Sequence, residues 1–263
     1  MAKNIEAIKK ANKLKNKIFY PRLYSAFQST ICFFCNDEKS NIVPAGSGVF
    51  INYKNNHYVV TAAHVLAEHS SDTFVILHDK ELIIGGKLIS SPMPASGDRK
   101  DDKIDISILK IDSQSVDDLL TRFTPIDVSE IETNHILKNT ATYFCVGFPL
   151  TRTKKIWGKD EIKSLGFTYQ SEAIINFDFE KFGFNKTSTY AIKYDGEVTS
   201  AKIPQVHLSP KIIGISGSGL WHFYGENKKS LIGIVLERIN EPSNKAILAT
   251  KIEIVLKMIE AME

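Results

Sequence analysis

Three residue types that together can attack a carbonyl stand far apart in this chain. From Gly214 to Trp221 the sequence reads GISGSGLW, three glycines and two serines that run directly into an aromatic, apolar segment. A serine hydroxyl is a weak nucleophile; it attacks a carbonyl only with a base within hydrogen-bond reach and a further group that orients the base. Both are available upstream. His64 closes the apolar run VVTAA and opens a turn of helix, which sets its ring at a strand end instead of in a core. Asp105 begins the alternating run DISILKI, which sets its carboxylate at the lip of a sheet. Each residue alone also has a structural reading: a satisfied packing histidine, a turn-forming aspartate, a Gly-Ser loop. The combination is what carries chemistry.

The elements that must position these residues are short and β-forming. LYSAFQSTICFF, GSGVFINY, HYVVTAA, TFVILH, ELIIGGKLI and DISILKI are β-branched and aromatic, and NDEKSN, KNN and SPMPASGDRKDDK separate them as turns. The second half continues with TATYFCVGFP, FTYQSEAIINFDF, TSTYAIKYDGE, GLWHFY, SLIGIVLER and AILAT. Many short strands without long intervening helices predict an all-β sandwich or barrel, not a βαβ sheet. TAAHVLAEHS reads as a strand ending in a short helix, and SVDDLLTRF as one or two helical turns. Helices are expected at both ends: a lysine-rich one over residues 3–17, and KIEIVLKMIEAME, whose apolar positions 252, 254, 255, 258, 259 and 262 lay one face on the strands. Residues 113–137 are the expected crossover between two β halves.

The bulk properties narrow the function classes. A length of 263 residues allows one large β domain or two smaller ones, and 43% hydrophobic with 24% charged residues is an ordinary globular composition. A net charge of +3 is too small to argue for a nucleic-acid partner. No apolar run approaches the roughly 18 residues of a membrane span. Three cysteines cannot complete a disulfide framework, and the start MAKNIEAIKKANKLKNK lacks the apolar core of a signal peptide, so a reducing, cytoplasmic setting is expected. Cys32 and Cys35 in CFFC lack two further ligands at zinc spacing and read as buried strand thiols; neither metal nor cofactor is expected.

The three blocks, in the order His, Asp, Ser, resemble the trypsin-like, chymotrypsin-fold serine proteases, and among them a short bacterial, intracellular type. TAAH at 61–64, IDISIL around Asp105 and GISG at 214–217 carry the resemblance; GSGVFI at 46–51 and CVGFP at 145–149 are similar to the family's early strand and to the opening of its second barrel. Other Ser-His-Asp folds use other chain orders. The resemblance implies two six-stranded antiparallel β-barrels with the active site in the cleft between them. It divides the chain into a basic helix over 1–20, a first barrel over 21–125 with His64 and Asp105, a second over 126–250 with Ser216, and a helix over 251–263. It also implies that Ser216 attacks, His64 moves the proton, Asp105 orients His64, and the N–H groups of Gly214 and Ser216 hold the oxyanion. Ser216 is preferred to Ser218 because that register keeps Gly214 as the oxyanion-hole glycine. Ser218 and Gly219 depart from the family's glycine and proline.

For specificity, the resemblance places Pro210 at the floor of the primary pocket, with no charge to select Arg or Lys, and leaves Glu237 as a candidate for the pocket wall. The chain lacks an IVGG-like activation sequence and stops about one helix after its last strand, so neither activation by cleavage at the amino terminus nor an appended peptide-binding domain is expected. The expected function is that of an intracellular serine endopeptidase acting on protein or peptide substrate. An activating sensor protein is an expected partner by analogy; nucleic acid and membrane are not. The alternative is a protease-fold binding or scaffold module, latent or inactive.

Overall fold

The computed structural model describes residues 23–67, 73–155, 162–195, 197–198, 207–208, 213–225, 228–241 and 244–263. The helix expected over 1–20 lies outside them. In chain order the first half contains helix α1 (23–28), strands β1 (Thr30–Asn36), β2 (Ile42–Tyr53) and β3 (Asn56–Ala62), helix α2 (Ala63–Ala67), strands β4 (Val75–Leu77), β5 (Lys80–Leu82), β6 (Gly86–Ser90) and β7 (Ile106–Ile111), and helix α3 (Ser113–Leu120). The run expected to be strand from Leu23 is therefore helical first. Thr30 Oγ1 and Ser29 N–H both donate to the Ala26 carbonyl, at 2.7 and 3.3 Å, and so satisfy the helix end before the chain extends.

Five of these strands form one antiparallel sheet in the order β1-β2-β3-β7-β6. The β4–β5 hairpin joins its β1 edge, where Phe34 and Phe74 exchange backbone bonds of 2.8 and 2.9 Å. Two tight turns set the register. Lys54–Asn55 (φ +48° and +63°) link β2 to β3, and His78–Asp79 (φ +48° and +65°) link β4 to β5. Two positive φ values in a two-residue loop match the right-handed twist of the flanking strands.

The second half contains β8 (Thr142–Gly147), β9 (Thr153–Lys155), β10 (Ile162–Ser164), β11 (Phe167–Ser171), β12 (Thr189–Lys193), β13 (Glu197–Val198), β14 (His207–Leu208), β15 (Gly219–Tyr224), β16 (Lys228–Glu241), β17 (Asn244–Lys251) and the closing helix α4 (Ile252–Glu260). Six strands form a sheet in the order β11-β8-β15-β16-β17-β12. Its two edges meet just after β11, where Lys193 N–H donates to Glu172 O at 2.8 Å and Ile174 N–H to Ala191 O at 3.0 Å. The architecture is the all-β, chymotrypsin-like double barrel expected from the sequence.

Alternation along the strands explains how the two halves join. Ile31, Phe33, Phe50 and Val59 fill the first barrel, while Val49, Ile51, Tyr58 and Val60 face the other way. These outer residues share one core with Phe144, Trp221 and Leu231 of the second sheet and with Ile252, Val255 and Ile259 of α4. At roughly 1.5–3 kcal/mol per buried aliphatic or aromatic side chain, this shared layer holds the cleft walls in register. Cys32, Cys35 and Cys145 are buried, and Cys32 and Cys145 are free. Burial pushes the Cys32 thiol up to about 12 and raises Cys145 as well. Among the described residues no helix is long and apolar enough to cross a membrane.

Candidate active site

Neighbouring strand ends bring His64 and Asp105 together. β3 pairs with β7 so that Ala62 faces Ile106; the chain turns into α2 at the next residue of one strand and enters from Asp105 on the other. Three bonds follow: Ala63 N–H to Asp105 O at 3.0 Å, His64 N–H to Asp105 Oδ1 at 2.9 Å, and His64 Nδ1 to Asp105 Oδ2 at 2.6 Å. The carboxylate is buried, its side chain 8% exposed, whereas the imidazole is 34% exposed. A carboxylate facing Nδ1 fixes the ring proton there and leaves Nε2 as the basic nitrogen.

Asp105 has φ +46°, a left-handed conformation that costs a non-glycine residue about 1–2 kcal/mol. Asp102 holds it there. Its Oδ1 accepts from Asp105 N–H at 2.9 Å and from Ile104 N–H at 3.0 Å; its Oδ2 accepts from Ser91 Oγ at 2.5 Å and from Arg99 Nη1 at 2.7 Å. Burial by itself would raise the Asp102 carboxyl, but these bonds outweigh it and hold the group below its ordinary value. Asp102 and Arg99 were not singled out from the sequence, where DRKDDK reads as a turn.

The Gly214–Gly217 loop is held by backbone. Gly214 and Gly217 have φ +90° and +82°. A Cβ on Gly217 would lie 2.0 Å from Ser47 O and 2.2 Å from Thr61 Oγ1, and one on Gly214 would lie 2.9 Å from Leu150 N, so both dihedral and space demand glycine. Ser47, on β2 of the first sheet, clasps the loop: Ser47 N–H donates to Ser216 O at 3.0 Å and Ser47 Oγ to Gly214 O at 3.2 Å. Ser47 belongs to the GSG of residues 46–48, legible as a motif but not as a clasp. Ile215 is buried in the second barrel's interior, and Gly217 N–H reaches Val235 O at 2.8 Å.

These anchors sort the two serines. Ser218 is fully buried, and among the described residues its Oγ has no hydrogen-bond partner. Ser216 is half-buried and lines a cleft of about 460 Å³ together with His64, Asp105 and Gly214. Among the described residues, the N–H groups of Gly214 and Ser216 donate no hydrogen bond, so both remain available as donors. Ser216 Oγ is likewise unbonded among the described residues, and no bond joins it to His64.

Leu150, Ile213, Leu236, Glu237 and Arg238 complete much of the cleft wall. Solvent reaches Glu237, yet the surrounding protein desolvates its carboxylate and raises it above the ordinary value; Lys103 opposes the rise and Asp105 adds to it. Arg238 lies over the Tyr194 ring, 5.1 Å from its centroid, and donates to Tyr194 Oη at 3.3 Å. Pro210 lies outside the described residues.

Residues 46–234 match the family model of the trypsin-like peptidase domain. Among solved structures, the crystal structure of the scabies mite inactivated protease paralogue S-I1 is similar, with a TM-score of 0.55 and 14% identity over 90% of this chain and 95% of that one. At that identity the likeness shows the fold. No curated protein matches.

Proposed function

We propose that this chain, which belongs to the trypsin-like peptidase family, is a serine endopeptidase that cleaves peptide bonds through an acyl-enzyme on Ser216. The observation that carries this reading is the 2.6 Å contact of His64 Nδ1 with Asp105, in the cleft that the half-exposed Ser216 also lines. Ser216 Oγ attacks the scissile carbonyl while His64 Nε2 takes its proton, and Asp105 stabilises the imidazolium. The oxyanion that forms is bound by the N–H groups of Gly214 and Ser216; such a donor contributes about 3–4 kcal/mol to the transition state. His64 then protonates the leaving amine, and water reverses the sequence to free the acid. The open Ser216–His64 contact is one that substrate tightens, as happens in many unliganded sites.

On this reading Glu237 is the charged specificity residue of the wall, and a neutral Pro210 gives no preference for Arg or Lys in the primary pocket. The buried free thiols of Cys32 and Cys145 suit a reducing compartment, which supports a cytoplasmic setting. The unbonded Ser216 Oγ also supports a second reading, a latent protease-fold module that a sensor-type partner completes. Labelling with a fluorophosphonate probe separates the two. Wild type and Ser218→Ala should label, and Ser216→Ala and His64→Ala should not. Labelling that survives in Ser216→Ala but vanishes in Ser218→Ala moves the nucleophile; a folded wild type that never labels leaves only the latent module.

A further inference from the structure

Outside the cleft, one cluster among the described residues has the composition of a ligand site. β15 starts at the nucleophile loop, and His222 lies three residues along it, about 10 Å away at the ordinary rise of a strand. There it meets Glu132 and His135 of the segment that joins the two sheets. His135 Nδ1 lies 2.7 Å from Glu132 Oε1, and His222 Nδ1 lies 3.1 Å from Glu132 Oε2. The two imidazoles are tilted by 49° with centroids 4.4 Å apart, and both direct the same ring nitrogen at one carboxylate. The three ligand atoms all lie within 4.8 Å of one another.

We infer that Glu132, His135 and His222 bind a divalent transition-metal ion of the zinc class, which ties the crossover segment to the second barrel. Two imidazoles and a carboxylate are a donor set zinc takes, and tetrahedral zinc with bonds near 2.0–2.1 Å spaces its donors about 3.3 Å apart. The 2.7 Å separation must open by about 0.6 Å and the 3.1 Å one by about 0.2 Å, and no pair of ligand atoms, all within 4.8 Å, has to close by more than about 1.5 Å. The surroundings of His135 match those of a metal-binding histidine. Its Nε2 lies 3.1 Å from Tyr143 Oη, which Lys138 N–H holds at 2.9 Å, so Nε2–H has a fixed acceptor while Nδ1 carries the ion. Tyr190 Oη donates to the His135 carbonyl at 2.6 Å and fixes the backbone. The His135 side chain is 2% exposed and that of Glu132 35%, so water reaches the ion from the Glu132 side and supplies the fourth ligand. The ligands are scattered in sequence, unlike the CFFC pair, which is why the sequence suggested no metal site.

The test uses the full chain stripped with a chelator and titrated with Zn²⁺, and with Co²⁺ as an absorbing substitute. One equivalent should bind. At free Zn²⁺ about 100-fold above Kd the Tm should rise by about 5–10 °C, and Co²⁺ should show the visible bands of a tetrahedral site. His222→Gln should lose more than about 100-fold in affinity, and Tyr143→Phe about 10–100-fold. Should His222→Gln fail to fold, Glu132→Gln, which keeps shape at a partly exposed position, gives the same comparison. The inference is overturned if no saturable binding appears, or if wild type and the folded ligand variant bind alike, as an ion held by the cysteines would. None of these readouts involves Ser216, so the result is independent of the peptidase reading.

Discussion

The two walls of the cleft prepare their reactive groups by different physics. On the first-sheet side His64 and Asp105 are held by ionisable side chains: Asp105 grips His64 through both carboxylate oxygens, and Asp102, itself held by Arg99 and Ser91, accepts from the Asp105 N–H. On the second-barrel side Ser216 is held by backbone: two glycines at positive φ, the buried Ile215, and main-chain bonds to Ser47 and Val235. A base needs a defined proton position, which charge supplies. In the proposed mechanism a nucleophile beside two backbone N–H donors needs a defined loop path, which dihedral angles and excluded volume supply. The first wall should therefore fail in rate when perturbed, and the second in folding.

Substitutions can break that contrast. The largest expected effect is that of Asp105→Asn, which keeps shape but lets His64 take the wrong tautomer; kcat should fall about 10,000-fold, with Tm shifted by only a few degrees. A variant that simply unfolds would show that charge there serves stability and not the base. Next comes Gly217→Ala. Positive φ and a Cβ 2.0 Å from Ser47 O should together cost roughly 3–5 kcal/mol of stability by denaturant melt; a stable but slow variant would mean that the loop can shift without the fold.

Asp102→Asn should lower kcat by about tenfold, by loosening the Asp105 turn, and reduce stability by about 1–3 kcal/mol. Its pH dependence sharpens the point. A carboxyl held below its ordinary 3.8 contributes stability that is complete above pH 3.8 and is lost as pH falls through the depressed value. Acid melts of the Asn variant should therefore show a smaller loss than those of wild type, the difference being the Asp102 share. The smallest effect belongs to Ser218→Ala. Removal of a buried, unpartnered hydroxyl should raise stability by about 1 kcal/mol in a denaturant melt and leave activity within twofold; a large loss of activity would give Ser218 a role in the loop.

Much of this was legible in the chain because it depends on local rules. The all-β class follows from short alternating runs, the double barrel from the family resemblance of the three blocks, α4 from its apolar periodicity, and the position of His64 from an apolar strand that stops at Ala62. LYSAFQSTICFF was misread because its apolar content fits either period, and the caps on the Ala26 carbonyl decide for helix. Asp102 and Arg99 were hidden because turn-forming and carboxylate-clamping aspartates look alike in sequence. Ser47 was hidden because its partners, Gly214 and Ser216, are remote in the chain.

The sequence by itself determined which residue types were on offer and in what order, since side-chain chemistry, turn formers and strand periodicity are local properties. The register with Gly214 already preferred Ser216; the tertiary structure adds that Ser216 lines the cleft while Ser218 is buried. Only it could place Asp102 under Asp105, and Glu132 and His135 beside His222. Burial and contact between distant segments depend on how the sheets close on a shared core, and no short stretch of the chain encodes that.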